Sequence, residues 1–390
     1  MKLKKKLQGA DINLSRDVIV VHLSLAHAPF WKFGGLPRIM ELYLQGLRGL
    51  GWNVGVISLE HNSGLPGLYK SDVQRFYMKP TKWMRRYHFN VNPISVFNII
   101  RKSFRTKKTL ILHVSQSRGI FNLVALLVSF MPETKIVFSP FGSLPDRGRF
   151  YIRVFDFFIT RPFCRRVNLG LAQTSHEQDV MENFGCPKVE IFPLALDSSF
   201  SVKASDTQER NVRKFLFLGR FHPTKGVPHL LSIFSKLKQS GYEFELDLVG
   251  DDQGDLIRIR SEIDRLDLSQ QVRVIPPVYG DERFSLYANY DAFVFRPEVF
   301  EETSLASLEA LSVGTPIFTT IRADIPHLTE MSAGYVSADD TEYLENLVLF
   351  LNMDYPNYID MRSRAQQTYE DYFESKRSIA ALSSHLELIL

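Results

Sequence analysis

Two cysteines, three tryptophans and no unbroken apolar stretch near 20 residues are what this 390-residue chain has least of. Cys164 and Cys186 stand alone, so the chain offers neither a disulfide framework nor zinc-finger spacing. Two structural thiols in a reducing cytoplasm are the simplest expectation. The longest apolar run, Ile120 to Met131, is broken by Asn122 and Ser129. It falls short of the about 20 residues that span a bilayer and reads as a buried helix. The basic start MKLKKKLQGADINLSRD is followed by no apolar core, so it does not read as a secretory signal. Neither G-x-G-x-x-G nor a Walker A loop occurs, which argues against NAD, FAD and ATPase chemistry. No repeat or low-complexity tract is visible.

What is present is ordinary globular material: 45% hydrophobic, 23% charged and 12% aromatic residues, with 30 Phe. The net charge of +4 conceals an asymmetry. Residues 1–195 hold 28 Lys and Arg against 12 Asp and Glu, a net +16. Residues 196–390 hold 19 against 31, a net −12. Halves so different suggest two domains with different electrostatic work.

The chain alternates short β-branched runs with helical periodicity. DVIVVHL (17–23), NVGVISL, TLILHVS, TKIVFSP, LGLAQT and VEIFPL read as strands, and LPRIMELYLQGLRGLGW and HEQDVMENFG as helices between them. After Pro193 a polar stretch without periodicity, LALDSSFSVKASDTQERN, reads as a linker. The alternation restarts with KFLFLGR, FELDLVG, VRVIPPV, DAFVFRP and TPIFTT as strands, and two helices are expected over the last ~35 residues. Repeated alternation gives parallel sheets with helices on both faces. The expected fold is therefore α/β: two tandem doubly wound, Rossmann-like domains facing a cleft. The domains are 1–195 and 196–365, with a C-terminal helix in 366–390 expected to cross back to the first.

Three loops could carry chemistry. Phe33-Gly34-Gly35-Leu36 joins the first strand to the first helix, where a glycine pair lets backbone N–H groups approach an anion; the alternative is a tight turn. Gly219-Arg220-Phe221-His222-Pro223-Thr224-Lys225-Gly226 follows the first strand of the second half. Arg220 offers a planar fork for phosphate oxygens and Lys225 a point charge; the alternative is two solvated cations. Glu301-Glu302-Thr303-Ser304-Leu305-Ala306-Ser307-Leu308-Glu309 follows DAFVFRP. Thr303 or Ser304 can cap a helix there, leaving the amides of Ser304 and Leu305 for a phosphate. Glu301 and Glu309 could each hold a diol, or be incidental acids on a capped helix.

Taken together these loops resemble the GT-B glycosyltransferases, specifically glycosyltransferase family 4. The match lies in Gly34-Gly35, in Gly219-Arg220 with Lys225-Gly226, and in Glu301 spaced eight from Glu309 inside EETSLASLEALSVGTPI, with Glu309-Ala310, Gly314 and Pro316 trailing. It runs over roughly residues 17 to 330. The resemblance implies a retaining, metal-independent enzyme without a cofactor, taking a nucleotide diphosphate sugar as co-substrate. Arg220 and Lys225 would neutralise the diphosphate, and Glu309 would hold the ribose. Glu301 would bind the transferred sugar, while Gly219, Thr303, Ser304 and Leu305 would line the donor. Gly34 and Gly35 would approach the diphosphate from the first domain, which would face the acceptor. Glu301, Arg220 and Lys225 would be catalytic, and no metal site is expected. One position departs from the pattern: many members carry a His in the segment Phe138 to Gly142, where Phe141 stands here. Nearby His27 and His113 match no motif and read as buried, hydrogen-bonded rings.

Residues 70–108 hold eleven Lys or Arg against one Asp, interleaved with aromatics. That composition fits an anionic membrane surface, with Trp83, Arg85, Arg86, Arg101, Lys102 and Arg105 as contacts. Residues 147–166, RGRFYIRVFDFFITRPFCRR, repeat the theme. A solvated charged face is the alternative. No nucleic-acid reader motif accompanies the patch, so no nucleic acid is expected as partner. The expected enzyme transfers a sugar to a glycan or lipid-linked glycan in cell-surface polysaccharide synthesis. It would be cytoplasmic and peripheral on the inner face of the cell membrane. A nucleotide-sugar 2-epimerase, a glycogen-type synthase and an inactive scaffold of the same fold are the alternatives.

Overall fold

The computed structural model describes residues 18–25, 27, 35–59, 74–78, 92–101, 109–145, 150–196 and 212–390. The chain divides into two compact units, Met1–Ile191 with Ile379–Leu390, and Phe192–Ser378.

The first unit is built on seven strands: β1 (Val18–Ser24), β2 (Asn53–Leu59), β3 (Gln74–Met78), β4 (Thr109–Ser115), β5 (Thr134–Ser139), β6 (Leu169–Ala172) and β7 (Val189–Ile191). They pair in parallel in the order β3-β2-β1-β4-β5-β6-β7. Strands β1, β2 and β4 are buried almost throughout, which is why they read as continuous apolar runs and not as alternation. Ile19, Val21, Leu23, Leu112 and Val114 face one core with the helix Ile120–Val128, whose Phe121, Val124 and Val128 are buried. The apolar run is thus a buried helix, as its length suggests. The helix Leu36–Gly49 carries Pro37 in its first turn, where the missing proline N–H costs nothing because no helical carbonyl is there to accept it. Residues 379–390 belong to this unit. Trp52 Nε1 donates to Ser383 Oγ at 2.9 Å, and a Cβ on Gly46 would collide with Ile379.

The second unit is a six-stranded parallel sheet: β8 (Arg213–Leu218), β9 (Phe244–Val249), β10 (Val272–Ile275), β11 (Ala292–Val294), β12 (Ile317–Thr320) and β13 (Gly334–Ser337), in the order β10-β9-β8-β11-β12-β13. Its core is aromatic: Phe215 meets Phe234 at 5.2 Å between ring centres, and Phe318 meets Phe350 at 5.1 Å. The helix Tyr355–Tyr372 is tied to the sheet by buried Arg362, which donates to Tyr290 O (2.9 Å) and the Tyr358 hydroxyl (3.0 Å). Tyr358 in turn donates to buried Asp291 at 2.8 Å.

The architecture is the α/β, twice doubly wound arrangement that the sequence alternation implies. Among the elements not anticipated are the edge strands β3 and β13, the helix Asp340–Leu351 and the short helices Phe150–Phe155 and Arg161–Cys164. β3 and the helix Pro93–Ile99 fall inside the basic stretch 70–108. The linker over 194–211 lies mostly outside the described residues.

Candidate active site

Each sheet reverses its winding direction once, between β1 and β4 and between β8 and β11. Ligands of doubly wound sheets bind beyond the carboxyl ends of the strands at such points. In the second unit the loops that leave β8 and β11 flank the reversal.

The loop after β8 is held by backbone. Gly219 N–H donates to Val249 O at 3.0 Å, and its carbonyl lies so close to Gly250 that a Cβ there would collide with it. Arg220 is exposed, and its Nη1 donates to Gln253 Oε1 at 3.3 Å. Among the described residues no carboxylate pairs with it. Phe221 is buried beneath and anchors the loop through its N–H to Asp251 O, 2.8 Å. His222 Nδ1 accepts from Thr224 N–H and so caps the short 3-10 turn Pro223–Lys225. Gly226 then adopts φ +68°, and a Cβ on it would strike Arg296 O. That position requires glycine both for its left-handed backbone and for the close approach.

The loop after β11 locks onto the first. Glu298 N–H donates to Thr224 O at 2.9 Å, and the Glu298 carboxylate receives Arg296 at 2.5 Å together with His229. Glu301 N–H donates to Arg322 O at 2.7 Å, which fixes the Glu301 backbone. Its side chain accepts Lys225 Nζ at 2.5 Å, with both side chains about one fifth exposed. Thr303 donates its hydroxyl to Asp324 O at 3.0 Å and is buried. Ser304 is the residue that caps the helix Leu305–Ser312; its Oγ accepts from Ser307 N–H at 3.2 Å.

Glu309, in the second turn of that helix, is buried rather than open. Arg283 Nη1 meets its Oε1 at 2.8 Å, and the Tyr287 hydroxyl donates to Oε2 at 3.4 Å. Burial, with the Glu309 charge adding to it, pushes the Tyr287 phenol well above its ordinary range. Tyr287 therefore stays a hydrogen-bond donor.

The residues singled out from sequence in this half thus collect at one end of one sheet. Lys225 and Glu301 touch, Arg220 stands free of any acid, Thr303 and Ser304 are spent on structure, and Glu309 is clamped. Sequence reasoning missed Arg283, Glu298 and Arg296. An acid due for burial demands a cation, but nothing in the chain marks which one.

In the first unit Gly35 precedes the helix Leu36–Gly49 with φ −74°, and its carbonyl accepts from Arg38 and Ile39 N–H. Gly34, Trp83, Arg85, Arg86, Lys102 and Arg105 lie outside the described residues; Arg101 is exposed just past the helix Pro93–Ile99. His27 and His113 are buried and bonded, His113 Nε2 to Ser139 Oγ at 2.8 Å and His27 Nδ1 to Arg75 Nη1 at 3.2 Å. Burial lowers both imidazoles to about 4. Phe141, where a His is usual, sits at φ +51° in a loop clamped by buried Glu177, which accepts from Gly142 N–H at 2.6 Å.

Residues 201–367 match the family profile described as Glycosyl transferases group 1. An uncharacterized 41.2 kDa protein in the cps region of Klebsiella pneumoniae is 22% identical over 274 residues, 66% of this chain and 74% of that protein. The sucrose-phosphate synthase of Thermosynechococcus elongatus superposes with a TM-score of 0.73 at 12% identity, over 96% of this chain and 99% of that one. The Anabaena HepE protein, in complex with UDP and glucose, gives 0.70 at 14% identity over 94% and 99%. At such identities the structural likeness shows the fold. Together with the match over residues 201–367, it supports a glycosyltransferase of the GT-B fold.

Proposed function

We propose that this chain is a retaining, metal-independent family 4 glycosyltransferase. It moves a sugar from a nucleotide diphosphate donor to a lipid-linked glycan during cell-surface polysaccharide synthesis, working peripherally on the inner face of the cell membrane. The observation that carries the reading is the exposed Arg220, without an acidic partner among the described residues, in one loop with Lys225 at the reversal of the second sheet. A guanidinium there can grip two phosphate oxygens at once.

In this reading Arg220 and Lys225 hold the diphosphate and stabilise the charge it gains as the sugar–oxygen bond breaks. Lys225 bridges the two halves of the donor, because its second partner, Glu301, accepts hydrogen bonds from the sugar hydroxyls. Glu309, its carboxylate held by Arg283, meets the ribose hydroxyls from the second turn of its helix. The Leu305 amide lies in the first turn of its helix and has no helical acceptor, which suits it to a phosphate oxygen. The UDP bound by HepE and the cps-region setting of the Klebsiella relative support the donor and product classes.

The test is a thermal-shift titration with UDP, GDP, ADP, CMP and dTDP on wild type and Arg220→Ala. A selective rise with one nucleotide, lost in the variant, supports the site and names the donor base. No shift with any of the five would sink the enzyme reading in favour of an inactive scaffold.

A further inference from the structure

Surface helices normally turn their apolar stripe to the core. Residues 150–166 do the opposite. Phe150, Tyr151, Val154, Phe157 and Phe158 recur at helical spacing, and all five face solvent; Phe150 is 82% exposed and Phe157 and Phe158 are each 67% exposed. The inward side of the same segment carries Asp156, Thr160, Phe163 and Cys164, all buried. A π turn over Asp156–Thr160, closed by Arg161 N–H to Asp156 O, joins the helices Phe150–Phe155 and Arg161–Cys164.

The charges are sorted as sharply as the rings. Asp156 is the only acid between 150 and 166, and Arg118 neutralises it from inside with two bonds of 2.8 and 2.9 Å. The outward side carries exposed Arg153, Arg161, Arg165 and Arg166. The Arg166 guanidinium lies 4.0 Å from the ring centre of Phe130, itself 67% exposed, which extends the aromatic face.

A contiguous exposed apolar patch marks an interaction site. Within 150–166 the four exposed arginines stand against one acid, Asp156, which Arg118 binds from inside, and that balance favours an anionic occupant. Aromatics flanked by arginines suit the headgroup layer, where rings enter the acyl boundary and guanidinium groups meet phosphates. We propose that Phe150–Arg166 is a membrane-docking face, with the rings inserted and the arginines on the headgroups of an anionic bilayer. This rests on the membrane-peripheral reading above and assigns it to one surface of the first unit.

The test is co-sedimentation with vesicles of phosphatidylcholine alone and of phosphatidylcholine mixed with phosphatidylglycerol. Wild type should bind only the mixed vesicles, and more weakly as salt is raised. Phe157→Ser with Phe158→Ser should weaken binding about a hundred-fold. Arg165→Gln with Arg166→Gln should weaken it roughly twenty-fold. Both pairs should keep the wild-type melting midpoint and nucleotide-induced shift. If wild type binds mixed vesicles and the variants bind equally well, the docking face is wrong while the membrane reading stands. If wild type binds neither vesicle, both fall. If wild type self-associates in sedimentation velocity and the phenylalanine pair is monomeric, the face is a contact between copies and the lipid assignment is overturned.

Discussion

The two sheets reverse their winding at equivalent places and fill them with opposite chemistry. Between β1 and β4 stand His22, Ser24, His113 and Ser115, all buried, with the His22 and His113 rings edge to face at 5.0 Å. Neither ring nitrogen of His22 has a partner among the described residues. Between β8 and β11 stand Arg220, Lys225, Glu298 and Glu301, solvated and charged. The same topology therefore dictates where a site can form, and not what it holds. Buried imidazoles and hydroxyls line the strands at the first reversal, while exposed and half-buried charges stand at the second.

Four substitutions or conditions probe that contrast. The largest effect is expected at Lys225. Lys225→Ala should lower turnover about 100- to 1000-fold, because a charge that stabilises the leaving group is lost and Glu301 loses its partner. The check is initial rates with the nucleotide sugar that the thermal-shift screen identifies; a change in KM alone would mean that Lys225 only binds the donor. Next comes Arg283→Met, which strands the buried Glu309 carboxylate and should cost about 3 kcal/mol in urea unfolding of the second unit. Unchanged stability there would show that Glu309 finds another partner.

A third, smaller effect is Gly226→Ala. It forces a side chain into a left-handed position against Arg296 O and should cost about 2 kcal/mol, with donor affinity falling alongside. Gly49→Ala, at the end of a helix in the first unit with open space around it and no left-handed backbone, is the unstrained control and should be neutral to slightly stabilising. The smallest is a pH effect in the first unit. Burial holds His27 and His113 at about 4, against an ordinary 6.5, and His22 lower as well. The unfolded chain thus protonates first as the medium is acidified. Stability is full above about 6.5 and is lost from there towards 4, at up to about 1.4 kcal/mol per pH unit for each ring. Urea midpoints at pH 7, 6 and 5 should fall accordingly, and His22→Leu should make the fall shallower by about a third.

Much of the fold could be read from the chain because parallel strands are buried on both faces and so appear as β-branched runs, as in VIVVHLS and TLILHVS. β13, GYVS, is short and only partly buried, and β3, QRFYM, hides in a basic stretch; neither has such a run. The helix Asp340–Leu351 did leave a signal in Asp339, whose carboxylate accepts from Thr341 and Glu342 N–H. At the site, loop glycines and cations were legible because they follow strand ends. The pairing of Lys225 with Glu301 across 76 residues was not, nor was the clamp of Arg283 on Glu309. Such contacts depend on which strands become neighbours, and local spacing carries no record of that. Likewise the rings of 150–166 were visible as composition, while their outward turn depends on where Arg118 draws Asp156.

The tie between Trp52 and Ser383 has a bearing on the order of events during synthesis. The first unit is begun at the first strand, yet part of it, Ile379–Leu390, is translated after all of the second. Until then the helix Leu36–Gly49 lacks the neighbour that Gly46 makes room for. On the ribosome the second unit can close before the first, which waits for residues 379–390.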